Sequence, residues 1–328
     1  MKKTIKLFLI KLFLACLLFT PFKVYSRPVD ITPSILRSSN YASIVINAKT
    51  GRVLFAKNAD QRRYPASLTK MMTLYITFET LKKKKLSPLQ KLTVSKHASE
   101  QPKSNIDLKK GQKITVRKAI HALIVKSAND AAVVLGEAIS GDRRKFIGLM
   151  NKTAKKLNMK NTNFQNAHGL HHEKQYTTAR DMAKLASALK KDFPRYYHLF
   201  SMTSFIYRGK EIKGHNRVLK RYEWADGLKT GYVNASGFNL ATSTKKPEGN
   251  LVAVVMGAQT ARIRDDHMIN LLDNAYARLG IKGRVKTKNT LQSKAPNTKK
   301  SVFQYVSRNL PKVTNNNDKL CWDALEIH

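Results

Sequence analysis

Cross-links are the first thing this chain lacks: it has two cysteines in 328 residues. Cys16 lies in an apolar N-terminal segment and Cys321 stands alone in the rest, so no disulfide can form outside that segment. A chain of this length does not need one, because its core can supply the stability that small secreted domains take from cross-links. Acid is scarce too, with 21 Asp and Glu against 61 Lys and Arg and a formal net charge of +40. Such a balance favours anionic partners, nucleic acid among them, unless it reflects only a lysine-rich composition. Long apolar runs are missing as well. The one candidate, residues 12–19, is bounded by Lys11 and Pro21 and falls short of the ~20 residues a spanning helix needs. His168, His171 and His172 have a spacing that suggests metal ligation, but no acidic or cysteine partner falls at a convincing distance. No metal or other cofactor is expected.

What is present at the N-terminus is an export signal over residues 1–26: Lys2, Lys3, Lys6 and Lys11, an apolar run, then Val24, Tyr25 and Ser26 before a cleavage point. A retained membrane anchor is the competing reading. Export turns the positive charge away from nucleic acid and towards anionic cell-wall polymer or a membrane surface, and places the mature chain in the periplasm. Residues 27–283 are expected to form the folded domain. Residues 284–328 are a basic polar tail, rich in Lys, Asn and Thr up to Lys300 and of disordered composition. Val302, Phe303, Val306 and Leu310 could line one helical face there, but Pro311 cuts it short, so peripheral contact with the inner membrane has weak support.

Along the domain, "YASIVINAKTGRVLFAKNAD" reads as a β-hairpin with a Lys-Thr-Gly, residues 49–51, in its turn. "YPASLTKMMTLYITFETLKKKK" reads as a helix begun by Pro65 and Ser67, apolar on nearly every face and therefore buried, with Lys82 to Lys85 at its cationic end. Residues 115–139 read helix, short break at "SAN", helix. Further helices fit 143–157 and 179–190, the latter with Thr178 as N-cap. The period then changes to β-like segments at "SFIYRGKEIKGHNRVL", "GLKTGYV", "SGFNLATST" and "GNLVAVVMGAQ", followed by a helix from Asp265. These predict an α/β (α+β) fold: an antiparallel sheet built from both chain ends, flanked by helices, with a helical subdomain.

Ser67-Leu68-Thr69-Lys70 supplies a nucleophile and a base on one helical face, near a helix N-terminus whose N–H groups suit developing negative charge. The spacing alone is cheap. Ser-x-x-Lys recurs at 187–190 and 243–246, Ser-x-Asn occurs at 38–40, 127–129 and 307–309, and Lys-Thr-Gly occurs at 49–51 and 229–231. Requiring the three motifs in that order leaves one solution: 67–70, 127–129 and 229–231.

That ordered set is the active-serine signature of penicillin-binding proteins and serine β-lactamases. With "YPASLTKMMT", "IVKSANDAAVVLGE", "NAHGL", "TTARDMAKL" and "DGLKTGYVNASGFNLATS" around it, the chain resembles the low-molecular-mass serine-type D-alanyl-D-alanine carboxypeptidases over roughly residues 37–280. The resemblance implies the serine β-lactamase/transpeptidase-like fold, a peptidoglycan stem peptide ending in D-Ala-D-Ala as substrate, and acylation by β-lactam antibiotics. It makes Ser67 the nucleophile, Lys70 its base, and Ser127 the relay of the proton to the departing D-alanine. Asn129 would hold Lys70 and the substrate amide; Lys229 and Thr230 would bind the terminal carboxylate. Gly231 would let the substrate lie against its strand, and the N–H groups of Ser67 and Tyr232 would form the oxyanion hole. Arg264 falls where the family places a basic residue near the carboxylate, with Arg262 two positions away as the alternative.

Among enzymes, a class A β-lactamase would add a Glu-x-x-x-Asn element, and none occurs from Glu137 through Glu223. A D,D-endopeptidase would use the same residues. A catalytically idle wall-binding or nucleic-acid-binding protein would need none of Ser67, Lys70, Ser127 and Lys229 together. The family's common β-rich second domain is not expected in the roughly 45 residues that follow the catalytic region.

Overall fold

The structure, a computed structural model, describes residues 38–281. The expected signal and the tail from residue 284 lie outside the described residues.

Strands β1 (Ala42–Asn47) and β2 (Val53–Lys57) form the opening hairpin. Its turn is closed by the Asn47 side-chain oxygen, which accepts from the N–H of Lys49 and Thr50, and by Gly51 at φ +72°. The first Lys-Thr-Gly is therefore turn chemistry. Ala66–Thr69 make a tight 3₁₀ turn that runs into helix α1 (Lys70–Lys82), which buries Met71, Met72, Leu74, Tyr75, Ile76, Phe78 and Leu81. Ser67 thus sits in the tight turn before the α-helix and not, as the sequence predicts, in the helix's own first turn. Ala66 at φ +50° sets that geometry.

A small antiparallel pair, β3 (Lys91–Thr93) and β4 (Lys113–Thr115), precedes helix α2 (Val116–His121). Three-residue strands are too short for a period to show, and the sequence reading missed this pair. The chain then widens through Ala122–Lys126 into a π-helical turn and reaches Ser127 in the left-handed region, φ 61°, before helix α3 (Asn129–Ser140). Helix α4 (Arg143–Lys156) is capped by Asp142, and α5 (Ala179–Asp192) by the Thr178 hydroxyl, which accepts from the N–H of Asp181. The hairpin β5 (Ser204–Tyr207) and β6 (Lys210–Lys213) turns at Arg208 and Gly209, and the following Val218–Arg221 is a helical turn where extended chain was expected.

Strands β7 (Ala225–Val233), β8 (Gly237–Thr244) and β9 (Leu251–Ala258) complete a five-stranded antiparallel sheet in the order β2-β1-β9-β8-β7. The first and last parts of the described chain meet where β1 pairs with β9. Both faces are covered. On β9, Val252, Val254 and Met256 point into one apolar cluster with the helices of the middle, while Leu251, Ala253 and Val255 point into a second with the final helix α6 (Ala261–Arg278). α6 begins four residues before Asp265, capped by the Thr260 hydroxyl on the N–H of Ile263, which brings Arg264 into its first turn.

Candidate active site

A cleft of about 440 Å³ lies where β7, the turn before α1 and the turn before α3 converge; Ser67, Ser127, Asn129, Thr230, Gly231, Tyr232 and Arg264 all line it. The two residues on either side of its chemistry that adopt left-handed backbone without being glycine, Ala66 and Ser127, are held there by their surroundings.

Lys70 is fully buried, and its Nζ lies 3.0 Å from Ser67 Oγ, 2.7 Å from Asn129 Oδ1 and 2.6 Å from the His168 carbonyl oxygen. Burial pushes its pKa well down, the Lys229 ammonium lowers it further, and the opposing pull of Asp130 is smaller. An ammonium would donate to all three oxygens. In the neutral form that burial favours, two hydrogens suffice for the two carbonyl oxygens and the lone pair is free to accept from the Ser67 hydroxyl. Asn129 is pinned in turn, its Nδ2 donating to the Pro102 carbonyl at 2.8 Å. Ser127 Oγ is buried and has no hydrogen-bond partner among the described residues, so its donor and acceptor capacity remains for whatever enters.

On the other wall, Lys229 is 2% exposed and donates to the Thr230 carbonyl at 2.9 Å. Burial, then the nearby Arg264, pull its pKa down to about 7. Arg264 is buried, and its guanidinium is fixed by Asp265 Oδ1 through Nε at 3.0 Å and Nη2 at 2.7 Å. Arg262 has an 88% exposed side chain, 3.8 Å from Asp266, so it is Arg264 that faces the cleft. Gly231 is where β7 meets the nucleophile: a Cβ there would stand 3.0 Å from the Ser67 backbone nitrogen and 3.3 Å from that of Leu68. The Tyr232 ring is half exposed at the rim, packed at a tilt against Phe238, with its hydroxyl on Asn234.

Three contributors escaped the sequence reading. Asn239, buried on β8, donates from Nδ2 to the carbonyls of Tyr64 at 3.1 Å and Pro65 at 3.2 Å and accepts from the N–H of Gly257, tying the sheet to the turn that carries Ser67. The available signal was an asparagine, a poor strand former, inside a β-like segment. The His168 contribution is a backbone carbonyl, which no side-chain motif announces. Next to it Gly169, at φ +93°, passes so close to Ala66 that a Cβ would fall 1.9 Å from the Ala66 carbonyl oxygen. Among the described residues no group of three or more His, Cys, Asp or Glu is placed to hold a metal ion. His171 instead packs edge-on against Tyr64, and His172 accepts from the N–H of Lys174.

A serine on a strained turn, a buried lysine on its hydroxyl, a second serine across the cleft and a lysine-bearing sheet edge define the active-serine, penicillin-recognising hydrolases of the β-lactamase-like fold. Within that class the D-alanyl-D-alanine carboxypeptidase family matches residues 31–260, and the chain belongs to it. It is 34% identical over 281 residues to "D-alanyl-D-alanine carboxypeptidase DacF" of Bacillus subtilis, covering 84% of this chain and 72% of that protein. It is 35% identical over 258 residues to "D-alanyl-D-alanine carboxypeptidase DacD" of Escherichia coli, covering 76% and 66%. The solved penicillin binding protein 5 of Haemophilus influenzae superposes with a TM-score of 0.70 at 34% identity, over 72% of this chain and 70% of that one. The chain is therefore similar to about two thirds or more of the length of each.

Proposed function

We propose that the protein is an exported, periplasmic serine D,D-carboxypeptidase that removes the terminal D-alanine from peptidoglycan stem pentapeptides and is acylated by β-lactams. The observation that carries this reading is the contact set of the buried Lys70, whose Nζ lies 3.0 Å from Ser67 Oγ and is held there by Asn129 Oδ1 and the His168 carbonyl. Ser67 Oγ attacks the penultimate D-alanine carbonyl while Lys70 takes its proton. The oxyanion that forms is met by the N–H groups of Ser67 and Tyr232. Lys229, Thr230 and Arg264 hold the terminal carboxylate. As the C–N bond breaks, the proton passes from Lys70 through the Ser127 hydroxyl to the departing amine. Water then adds to the ester, its proton returning through Lys70 to Ser67, and the shortened peptide leaves as a carboxylic acid.

Export is supported by the lysine-flanked apolar run near the N-terminus, and the formal charge of +40 suits an anionic wall or inner-membrane surface. Among the described residues no helix is long and apolar enough to cross a membrane. No carboxylate lines the cleft among the described residues, which argues against the acid-activated deacylating water of a class A β-lactamase. The test is D-alanine release from an acylated X-D-Ala-D-Ala peptide by the chain beginning at Arg27. Release that disappears in Ser67→Ala supports the reading. No release, with rapid turnover of penicillin, would replace it with a β-lactamase.

A further inference from the structure

The cleft's charge exceeds what the terminal carboxylate requires. Lys103, Arg217 and Arg264 line it with Lys229 beneath, no carboxylate is among its lining residues, and Arg264 is paired with Asp265. Lys229, Thr230 and Arg264 form the carboxylate end, and Arg217 belongs with them because its charge acts on Arg264. Lys103 stands apart. It is exposed and makes no hydrogen bond or ion pair among the described residues, yet its backbone is held more firmly than a surface lysine's usually is. The Pro102 carbonyl accepts from Asn129 Nδ2 at 2.8 Å, the Ser104 carbonyl accepts from the Asn129 N–H at 2.7 Å, and Ser104 Oγ donates to the Lys126 carbonyl at 2.7 Å. Residues on both sides of Lys103 are thus fastened to the loop that carries Ser127 and Asn129.

Resting on the carboxypeptidase reading above, we propose that Lys103 forms a second carboxylate subsite, which reads the residue preceding D-Ala-D-Ala and favours a diamino dicarboxylic acid there over lysine. With the terminal carboxylate at Lys229 and Arg264 and the scissile carbonyl at Ser67, the acyl part of the peptide must leave away from Arg264, along the wall made by Asn129 and the segment fastened to it. An extended peptide advances about 3.3 Å per residue, so the second residue upstream of the scissile bond comes within reach of a lysine side chain. A carboxylate there would pair with Lys103. Both side chains carry the distal ammonium. In the dicarboxylic acid the carboxylate cancels it, whereas lysine brings a net positive charge to a cationic lining, so selectivity rests on that one carboxylate.

The experiment compares kcat/KM for two acylated X-D-Ala-D-Ala peptides, X being either a diamino dicarboxylic acid or lysine, at low salt. Wild type should prefer the dicarboxylic peptide by about five-fold, the size of an exposed ion pair. Lys103→Ala should bring the ratio close to one and Lys103→Glu should reverse it, while raised salt should shrink the wild-type ratio. Equal rates for the two peptides in wild type, or a ratio that survives both substitutions, would overturn the subsite and leave the carboxypeptidase reading standing. Release of D-alanine from neither peptide would overturn both.

Discussion

Lys70 and Lys229 are two buried amines that share one cleft, and each makes the other's charge costlier. In the proposed mechanism Lys70 must be neutral to take the serine proton, whereas Lys229 must be charged to hold a carboxylate. The environments divide them in that sense, with Lys70 well below its ordinary value and Lys229 brought down to about 7. kcat/KM, which reports the free enzyme, should therefore fall as pH rises through about 7 because Lys229 loses its proton, with any acid limb belonging to Lys70. In Lys229→Arg, whose guanidinium stays charged, the alkaline limb should move to higher pH. A limb unmoved in that variant would mean Lys229 is not the group that titrates. At this scale the side chains were readable in advance because their chemistry is tied to residue type and order. The His168 carbonyl was not, since any residue would provide one and only the fold decides which carbonyl points at Lys70.

Strand β7 and the turn at Ala66–Thr69 give the two Lys-Thr-Gly copies opposite meanings. A Cβ on Gly231 would press on the backbone of Ser67 and Leu68, and Gly231→Ala is expected to slow acylation by penicillin about 10²-fold through displacement of the nucleophile, with the protein still folded. A Cβ on Gly51 would meet nothing within 4 Å, although its φ of +72° disfavours alanine. Gly51→Ala should cost about 1 kcal/mol of stability and leave the acylation rate unchanged. Stopped-flow acylation rates and thermal midpoints for both variants check this; a wild-type rate in Gly231→Ala would contradict it. Long elements such as α1, α5 and the sheet strands were legible because their apolar periods run for several turns or alternations. β3, β4 and the helical turn at Val218–Arg221 were not, as three or four residues hold little more than a single period, too few for a pattern to repeat. The start of α6 was placed four residues late, at Asp265, although Thr260, whose hydroxyl caps it, stands just before Ala261.

For the molecule as a whole, the histidines buried in the fold set how it answers acid. His121, His168 and His267 are pushed down to about 4, about 3 and about 4, in each case chiefly by burial. In the unfolded chain they titrate near ~6.5. Between those limits the unfolded chain binds more protons, so stability falls as pH drops below about 6.5, by up to roughly 1.4 kcal/mol per pH unit for each histidine. The thermal midpoint should decline steadily from pH 6.5 to 4.5; a flat profile over that window would show that these imidazoles are not held neutral. The architecture was legible as a sheet closed from both ends of the domain, whereas the layering of two apolar clusters on its faces needed the pairing of β1 with β9.

The central claim is that the ordered motifs converge on one nucleophile. It is tested most directly by intact mass measurement of the chain from Arg27 after incubation with penicillin, for wild type and Ser67→Ala. The account predicts a single adduct of one penicillin mass on wild type, located to the peptide containing Ser67, and none on the variant. An unchanged adduct on Ser67→Ala, or no adduct on wild type, would contradict it.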